Sequence, residues 1–272
     1  VETESDGRIT VDLYPNSQLG GERDLQEGLQ YNSVQAAIIG GTLGILEPAF
    51  LAIDLPFAFE KAEDAHAKLD GELGNKLFEL IEEQGIKGLA WWENGFRNIT
   101  HSDKPIRTPQ DVQGMKIRVP EVQAYVSTFE TLGANPTPMP LAELFTSLEQ
   151  GVIDGQENPI PIIYTSKFYE VQDYVSLTRH FYGPAPLVMS LEFYNSLPND
   201  LQAIIDEASV EVRDYERQLV AEQTEEYKNE LEANGMTIIE DVDIEAFRKA
   251  TEPVYDEFQN VIGKEILDLL RE

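Results

Sequence analysis

Apolar positions along the chain come in short alternating or continuous runs, and between them lie stretches where they recur at helical spacing. Ile9, Val11 and Leu13 alternate and stop at Pro15, which predicts a strand over 7–15 buried on one face. Val34–Ile39 and Phe50–Phe59 are further buried runs, and Ile86–Trp92 reads as a strand leading straight into the polar piece Glu93–Thr100. Ile117 and Val119 mark a strand that ends at Pro120, because proline has no amide proton for the next ladder bond. Val152-Ile153 and Asp154-Gly155 read as a brief strand and turn into Gln156–Pro159. Tyr174–Leu177, Leu187–Leu191 and Met236–Ile239 complete the strands.

Helical spacing covers 24–31, 64–84 with Gly85 as its stop, 121–132 closed by Gly133, and 141–150 closed by Gly151. Thr108 followed by Pro109 is an N-cap with proline at the first helical position of a short helix that ends at Gly114. The longest element is 198–234, with Leu201, Ile204, Ile205, Ala208, Val212, Tyr215 and Leu219 as its stripe. At 1.5 Å per residue it is roughly 50 Å long, more than one small lobe is wide, so it is expected to span two. The remainder of the chain is expected to be helical. Strand–helix alternation points to an α/β fold, and 272 residues suffice for two lobes around a large core.

Charge sharpens this picture. Fifty acidic against 20 basic residues leave a net charge of -30, a surface that repels nucleic acid and anionic lipid heads and that suits a salt-rich setting. No apolar run is long enough to span a membrane, and the N-terminus shows no basic or apolar signal region. Without cysteine, disulfides are excluded. Between Arg97 and Arg118 the balance reverses: five Lys/Arg stand against two acids, the place to seek a small anion. Arg118 alternates with Ile117 and Val119. On a cleft face its guanidinium would clamp a carboxylate through two parallel hydrogen bonds; the alternative is an arginine on a solvated face.

Signals for catalysis are missing. His66, His101 and His180 lie far apart in sequence, and His66 with Asp70 one turn away makes only two ligands. Gly40, Gly41 and Gly44 follow a strand without G-x-G-x-x-G spacing, so they read as a turn or as a backbone that a ligand approaches closely. There is no P-loop and no G-x-S-x-G. Charged clamps without a nucleophile–base pattern favour binding over catalysis, with no metal or cofactor expected.

Several ordered motifs then carry a resemblance: Asn94-Gly-Phe-Arg97, Lys104-Pro-Ile-x-Thr-Pro-x-Asp111, Gly114-Met-Lys-Ile-Arg-Val-Pro120, Gly133-Ala-Asn-Pro-Thr-Pro-Met139, Gly151-Val-Ile-Asp-Gly-Gln-Glu-Asn-Pro159 and Phe168-Tyr-Glu-Val-Gln172. Together with Ile9–Gly20 and the long helix, the chain closely resembles the solute-binding receptors of tripartite ATP-independent periplasmic (TRAP) transporters, the DctP type. The resemblance implies a two-lobed periplasmic-binding-protein fold with mixed sheets flanked by helices, closing over an organic acid. It implies delivery of that acid to an integral membrane permease, a periplasmic location, and a monomer that does not itself insert into the membrane.

The family's carboxylate-holding arginine falls on Arg118, a second arginine that touches ligand in several members falls on Arg97, and its ligand-bonding asparagine falls on Asn158. Asn94, Gln156, Glu121 and Gly40 complete the expected ligand-binding set. Members usually carry a strand and most of a helix ahead of the Gly7-Arg-Ile-Thr stretch, where six residues stand here, so contacts from that strand are unassigned. Leu141 stands where some sialic-acid-type members carry an aromatic.

The expected lobes are 1–95 with 184–215, and 96–183 with 216–250; 251–272 is expected as a helical segment packing on both. Asn94, Glu93 and the Trp91-Trp92 pair beside Arg97 suit a polyhydroxylated acid such as a hexuronate or related sugar acid, the indoles stacking on a pyranose unless they belong to the core. A C4-dicarboxylate or keto acid is the alternative ligand, and an α/β enzyme acting on such an acid the alternative class.

Overall fold

The structure, a computed structural model, describes residues 1–272. In chain order the elements are α1 (Glu22–Gln30), β1 (Ala36–Ile38), α2 (Ala62–Leu69), α3 (Glu72–Glu82), β2 (Ile86–His101), α4 (Pro109–Val112), β3 (Lys116–Val119), α5 (Gln123–Thr131), β4 (Asn135–Pro138), α6 (Leu141–Glu149), β5 (Gly155–Pro159), α7 (Ile160–Thr165), β6 (Tyr174–Ser190), α8 (Leu191–Ser196), α9 (Asn199–Ala233), β7 (Thr237–Ile239), α10 (Ile244–Ile262) and α11 (Lys264–Arg271). The strands form one mixed seven-stranded sheet in the order β1-β6-β2-β5-β3-β4, with β7 also on β6. β2 pairs antiparallel with β5 and β6, while β3 runs parallel to β4 and β5.

Two long strands organise the molecule. β2 and β6 pair from Ile86↔Ser190 to His101↔Tyr174. β1 joins β6 only at Leu187–Met189, and β5 joins β2 only at Arg97–His101. Between them, around Trp91–Phe96, the sheet narrows to these two strands, with a register shift between Glu93 and Gly95. At that point the Glu93 amide leaves the ladder and donates to the Glu216 carboxylate of α9 (3.1 Å), opposite Pro184, which has no amide proton to give. Gly183, Pro184 and Pro186 made β6 look like two strands in the sequence, and this narrow waist is where the pairing tolerates them.

α9 runs along β2. Its first half receives Trp92 Nε1 on the Ser209 carbonyl (3.4 Å), and Arg217 is bidentate to Asp70 (2.7 and 2.9 Å) and donates to the Trp91 carbonyl. Further along, Leu231 enters the smaller core with Leu144, Ile160 and Phe168. The main core of 40 buried residues includes Phe50, Leu77 and Trp91 from the early elements, Ile117, Tyr125 and Phe129 from the middle, and Phe247, Val254 and Phe258 from α10. α10 thereby packs on α5 and on the 3-10 segment Pro48–Asp54, with Ser127 donating to Glu257 (2.8 Å) and Tyr255 to the Pro56 carbonyl (2.9 Å).

Three local expectations change. Residues 7–15 form no strand: they pair with none of the seven strands, Val11 donates to the Glu2 carboxylate (2.8 Å), and Val11, Leu13 and Tyr14 are exposed. The helix expected over 64–84 breaks at Asp70-Gly71 into α2 and α3. Close packing follows, since a Cβ on Gly74 would lie 1.7 Å from the Leu69 carbonyl oxygen. Gln156–Pro159, expected after a turn, are themselves the wholly buried strand β5 between β2 and β3.

Candidate functional site

The motifs converge because β3, β5 and β2 are neighbours: Arg118 stands opposite Gln156, Asn98 opposite Asn158, and Arg97 opposite Pro159. Both arginines are almost completely buried, at 3% and 4% exposure, but their partners differ. Arg97 donates from Nε and Nη2 to the Glu157 carboxylate (2.5 and 2.8 Å), and from Nη2 also to the Glu157 carbonyl and to Asn158 Oδ1. Burial alone would lower its proton affinity; the Glu157 charge more than reverses this. Glu157 is likewise fully buried, and Arg97 and His180 hold its carboxylate below the usual range against the effect of burial.

Arg118 has no carboxylate. Nε and Nη2 both donate to the Met139 carbonyl (2.9 and 2.6 Å), and Nη1 donates to nothing in the chain and is not sealed from solvent. Burial first, and the nearby Arg97 charge second, push its pKa down to about 10, which leaves it charged at neutral pH. A buried cation compensated by one carbonyl is electrostatically incomplete.

Around this cation stand three carboxylates. Glu22, Glu121 and Glu157 all favour its charge, yet none forms an ion pair with it. Glu121 pairs with Arg23 (3.4 Å), and these two line a cavity of ≈ 250 Å³ with Gly41, Val122 and Pro138. Glu22, at the start of α1, accepts from the Gly40 amide (2.8 Å) and from the Thr42 amide and hydroxyl. A Cβ on Gly40 would lie 2.9 Å from Glu22 Oε1 and 3.3 Å from Asn94 Nδ2, so Gly40, Asn94 and Glu22 meet, and a larger residue at 40 would displace those side-chain ends. Asn94 makes no side-chain hydrogen bond within the chain and is half-buried.

Gln156 and Asn158 sit deeper. Gln156 Nε2 donates to Thr100 (3.0 Å), Asn158 Nδ2 donates to Gln156 Oε1, and Asn158 Oδ1 accepts from Arg97. Both amides are engaged within the chain in this geometry.

Trp91, Trp92 and Glu93 lie away from this cluster. Trp91 stacks on Phe78 (4.5 Å, 1°) in the core, and Trp92 faces α9. Glu93 is buried and accepts from His66 and the Tyr182 hydroxyl. No group of three or more His, Asp or Glu is arranged to hold a metal ion. Sequence reasoning missed Glu22, whose place beside Gly40 depends on a loop 18 residues later.

A family model described as bacterial extracellular solute-binding protein, family 7 (DctP), matches residues 1–261. The 2,3-diketo-L-gulonate-binding periplasmic protein of Escherichia coli is 36% identical over 245 residues, 90% of this chain and 75% of that protein. A TRAP periplasmic solute-binding protein from a Polaromonas species, bound to D-erythronate, superimposes with a TM-score of 0.96 at 37% identity, covering 99% of this chain and 89% of that one. One from a Sulfitobacter species, with bound β-D-galacturonate, gives 0.95 at 33% identity, covering 99% and 90%. These relatives are substrate-binding proteins of transporters and not enzymes. No helix here is long and apolar enough to cross a membrane.

Proposed function

Because this chain belongs to the family 7 bacterial extracellular solute-binding proteins, we propose that its cleft captures a hydroxylated monocarboxylic acid, a hexuronate or related sugar acid, with Arg118 holding the carboxylate. One observation carries the reading: Arg118 is a buried cation without an anionic partner. A ligand carboxylate supplies that charge, and the free Nη1 provides a donor for it. Charge counting favours one carboxylate over two. Arg97 is already neutralised by Glu157, so a C4-dicarboxylate would bring its second charge to Glu22 and Glu121 without a second free cation. The same carboxylates, with the unengaged Asn94 amide, suit hydroxyl groups. Ligands seen in similar proteins, galacturonate and erythronate, are acids of this kind.

Arg97 contributes its remaining Nη1 donor, and Asn158 and Gln156 position it. Closure of the two lobes at the two-stranded waist, 1–95 with 184–215 against 96–183 with 216–250, buries the ligand, while 251–272 packs across both. The closed monomer presents a periplasmic surface to a TRAP permease. The test is a thermal-shift screen with D-galacturonate, D-glucuronate and succinate, followed by calorimetry. A ligand at about 100 times its Kd adds roughly 2.7 kcal/mol to stability. Stabilisation by the uronates supports the reading; stabilisation by succinate alone would replace it with a dicarboxylate receptor, and silence from all three would remove the carboxylate clamp.

A further inference from the structure

The cavity lined by Arg23, Glu121 and Pro138 adjoins the Arg118 clamp through four segments of chain. Glu22 accepts from Gly40 near the cation, and the residue after each, Arg23 and Gly41, lines the cavity. Met139 gives its carbonyl to Arg118, and Pro138 before it lines the cavity. Glu121 follows Arg118 by three residues, just past the end of β3. The empty space therefore lies beside the carboxylate site.

Its three polar side chains have partners of their own. Arg23 pairs with Glu121 (3.4 Å), and Gln123 donates to Ser127 Oγ (3.4 Å). The rest of the wall is aliphatic, made by Ile45, Leu51, Val122, Val126 and Pro138. Backbone stands close behind it: a Cβ on Gly44 would lie 2.9 Å from Leu51 Cδ2, and one on Gly41 3.4 Å from Val122 Cγ2. Leu51 and Val122 are buried, while Ile45 remains 45% exposed. A methyl group set against such a wall gains apolar burial. A hydroxyl set there gives up its water and finds no donor or acceptor on it.

We propose that this aliphatic wall is the distal end of the ligand site and selects sugar acids that carry a methyl group at the end opposite the carboxylate. It rests on the sugar-acid reading above and narrows its ligand class to terminal-deoxy aldonates. Arg118 takes the carboxylate, Glu22 and Asn94 take hydroxyls along the chain, and the terminal methyl packs on Ile45, Leu51 and Val126. The Arg23–Glu121 pair closes the polar side of the cavity, so a second carboxylate placed there meets Glu121 and finds Arg23 already engaged.

Calorimetry with D-galactonate and D-fuconate tests this, because D-fuconate carries a methyl group where D-galactonate carries a hydroxymethyl group and the two are otherwise identical. D-Fuconate should bind roughly tenfold tighter, about 1.4 kcal/mol. Ile45→Gln puts an amide on the wall at a position already open to solvent, and Val126→Thr puts a hydroxyl there at nearly constant volume. Each should cut the preference to about threefold or less at an unchanged melting temperature. Equal or tighter binding of D-galactonate overturns the subsite. A preference that both variants leave intact places the methyl group elsewhere and overturns it as well. Binding of D-galacturonate with neither aldonate held overturns the subsite and leaves the receptor reading standing. Silence from all three acids removes the receptor reading, and the subsite with it.

Discussion

Arg118 and Arg97 flank β5, yet deleting their charges should have opposite consequences for the fold. Arg118→Met keeps most of the side-chain length and removes an uncompensated cation that is 3% exposed. Replacing buried ions by apolar residues of similar volume is neutral or stabilising by about 1–4 kcal/mol. Against this, the Met139 carbonyl loses both of its Arg118 donors, at a cost of about 1–3 kcal/mol. The two offset, and the variant should keep wild-type stability within about 2 kcal/mol. Arg97→Met instead strands Glu157, which is 0% exposed and loses its bidentate partner; breaking such a pair costs about 3–5 kcal/mol, a large share of a domain's total. Binding reverses the order. Without Arg118 the ligand carboxylate meets only Arg97, already neutralised by Glu157, a loss of about 2–5 kcal/mol, roughly thirtyfold to several thousandfold. Urea unfolding and calorimetry with D-galacturonate measure both quantities. Arg118→Met that binds within about threefold of wild type, or that is as destabilised as Arg97→Met, refutes the distinction between a clamp and a structural pair.

Glu216 gives a pH signature for the waist: burial, with the Glu93 charge adding, raises it to about 7. The folded state then holds a proton that the unfolded state releases, so stability present at acid pH is lost as pH rises through about 7. Glu216→Gln should flatten that loss in melting temperatures taken between about pH 5 and pH 8, and an unchanged slope would place the titration elsewhere. Trp91→Ala should cost about 3–5 kcal/mol through the lost packing on Phe78 and Phe50. Its folded fraction should bind D-galacturonate as the wild type does, and a specific loss of affinity would return the indole to the cleft.

Most elements were legible because periodicity and caps agree locally. The Thr108–Asp111 capping box and the positive-φ glycines at 114, 133, 151 and 235 end or begin elements where the pattern says. The failures share one cause, which is that they depend on neighbours distant in sequence. Ile9, Val11 and Leu13 alternate as a strand would but pair with no strand of the sheet. Gln156–Pro159 reads as a polar stretch after a turn and not as a strand, because its residues are buried by pairing and ion-pairing with β2, which lies about 60 residues earlier. The positive island at 97–118 was visible as composition. That Arg97 is internally neutralised and Arg118 is not could not be seen, because Glu157 and the Met139 carbonyl arrive from other elements.

The acidic surface and Arg118, the buried cation without a carboxylate partner, pull an anionic ligand in opposite directions, and salt separates them. A sphere for 272 residues has a radius of about 24 Å, and 30 negative charges spread over it repel a monoanion at contact by about 5 kcal/mol in unscreened water. Screening reduces this to about 1.5 kcal/mol at 0.1 M salt, where the Debye length is about 10 Å, and to about 0.6 kcal/mol at 1 M, where it is about 3 Å. The difference of about 0.9 kcal/mol corresponds to roughly a fivefold faster association. Arg118 is buried, so its attraction for a seated carboxylate is screened far less, and dissociation should change little over the same range. Stopped-flow binding of D-galacturonate from low to high salt should therefore show the association rate rising and affinity rising with it. An association rate that falls with salt would mean that the positive residues at 97–118 dominate the approach, and that the surface charge of the chain is not what the ligand meets first.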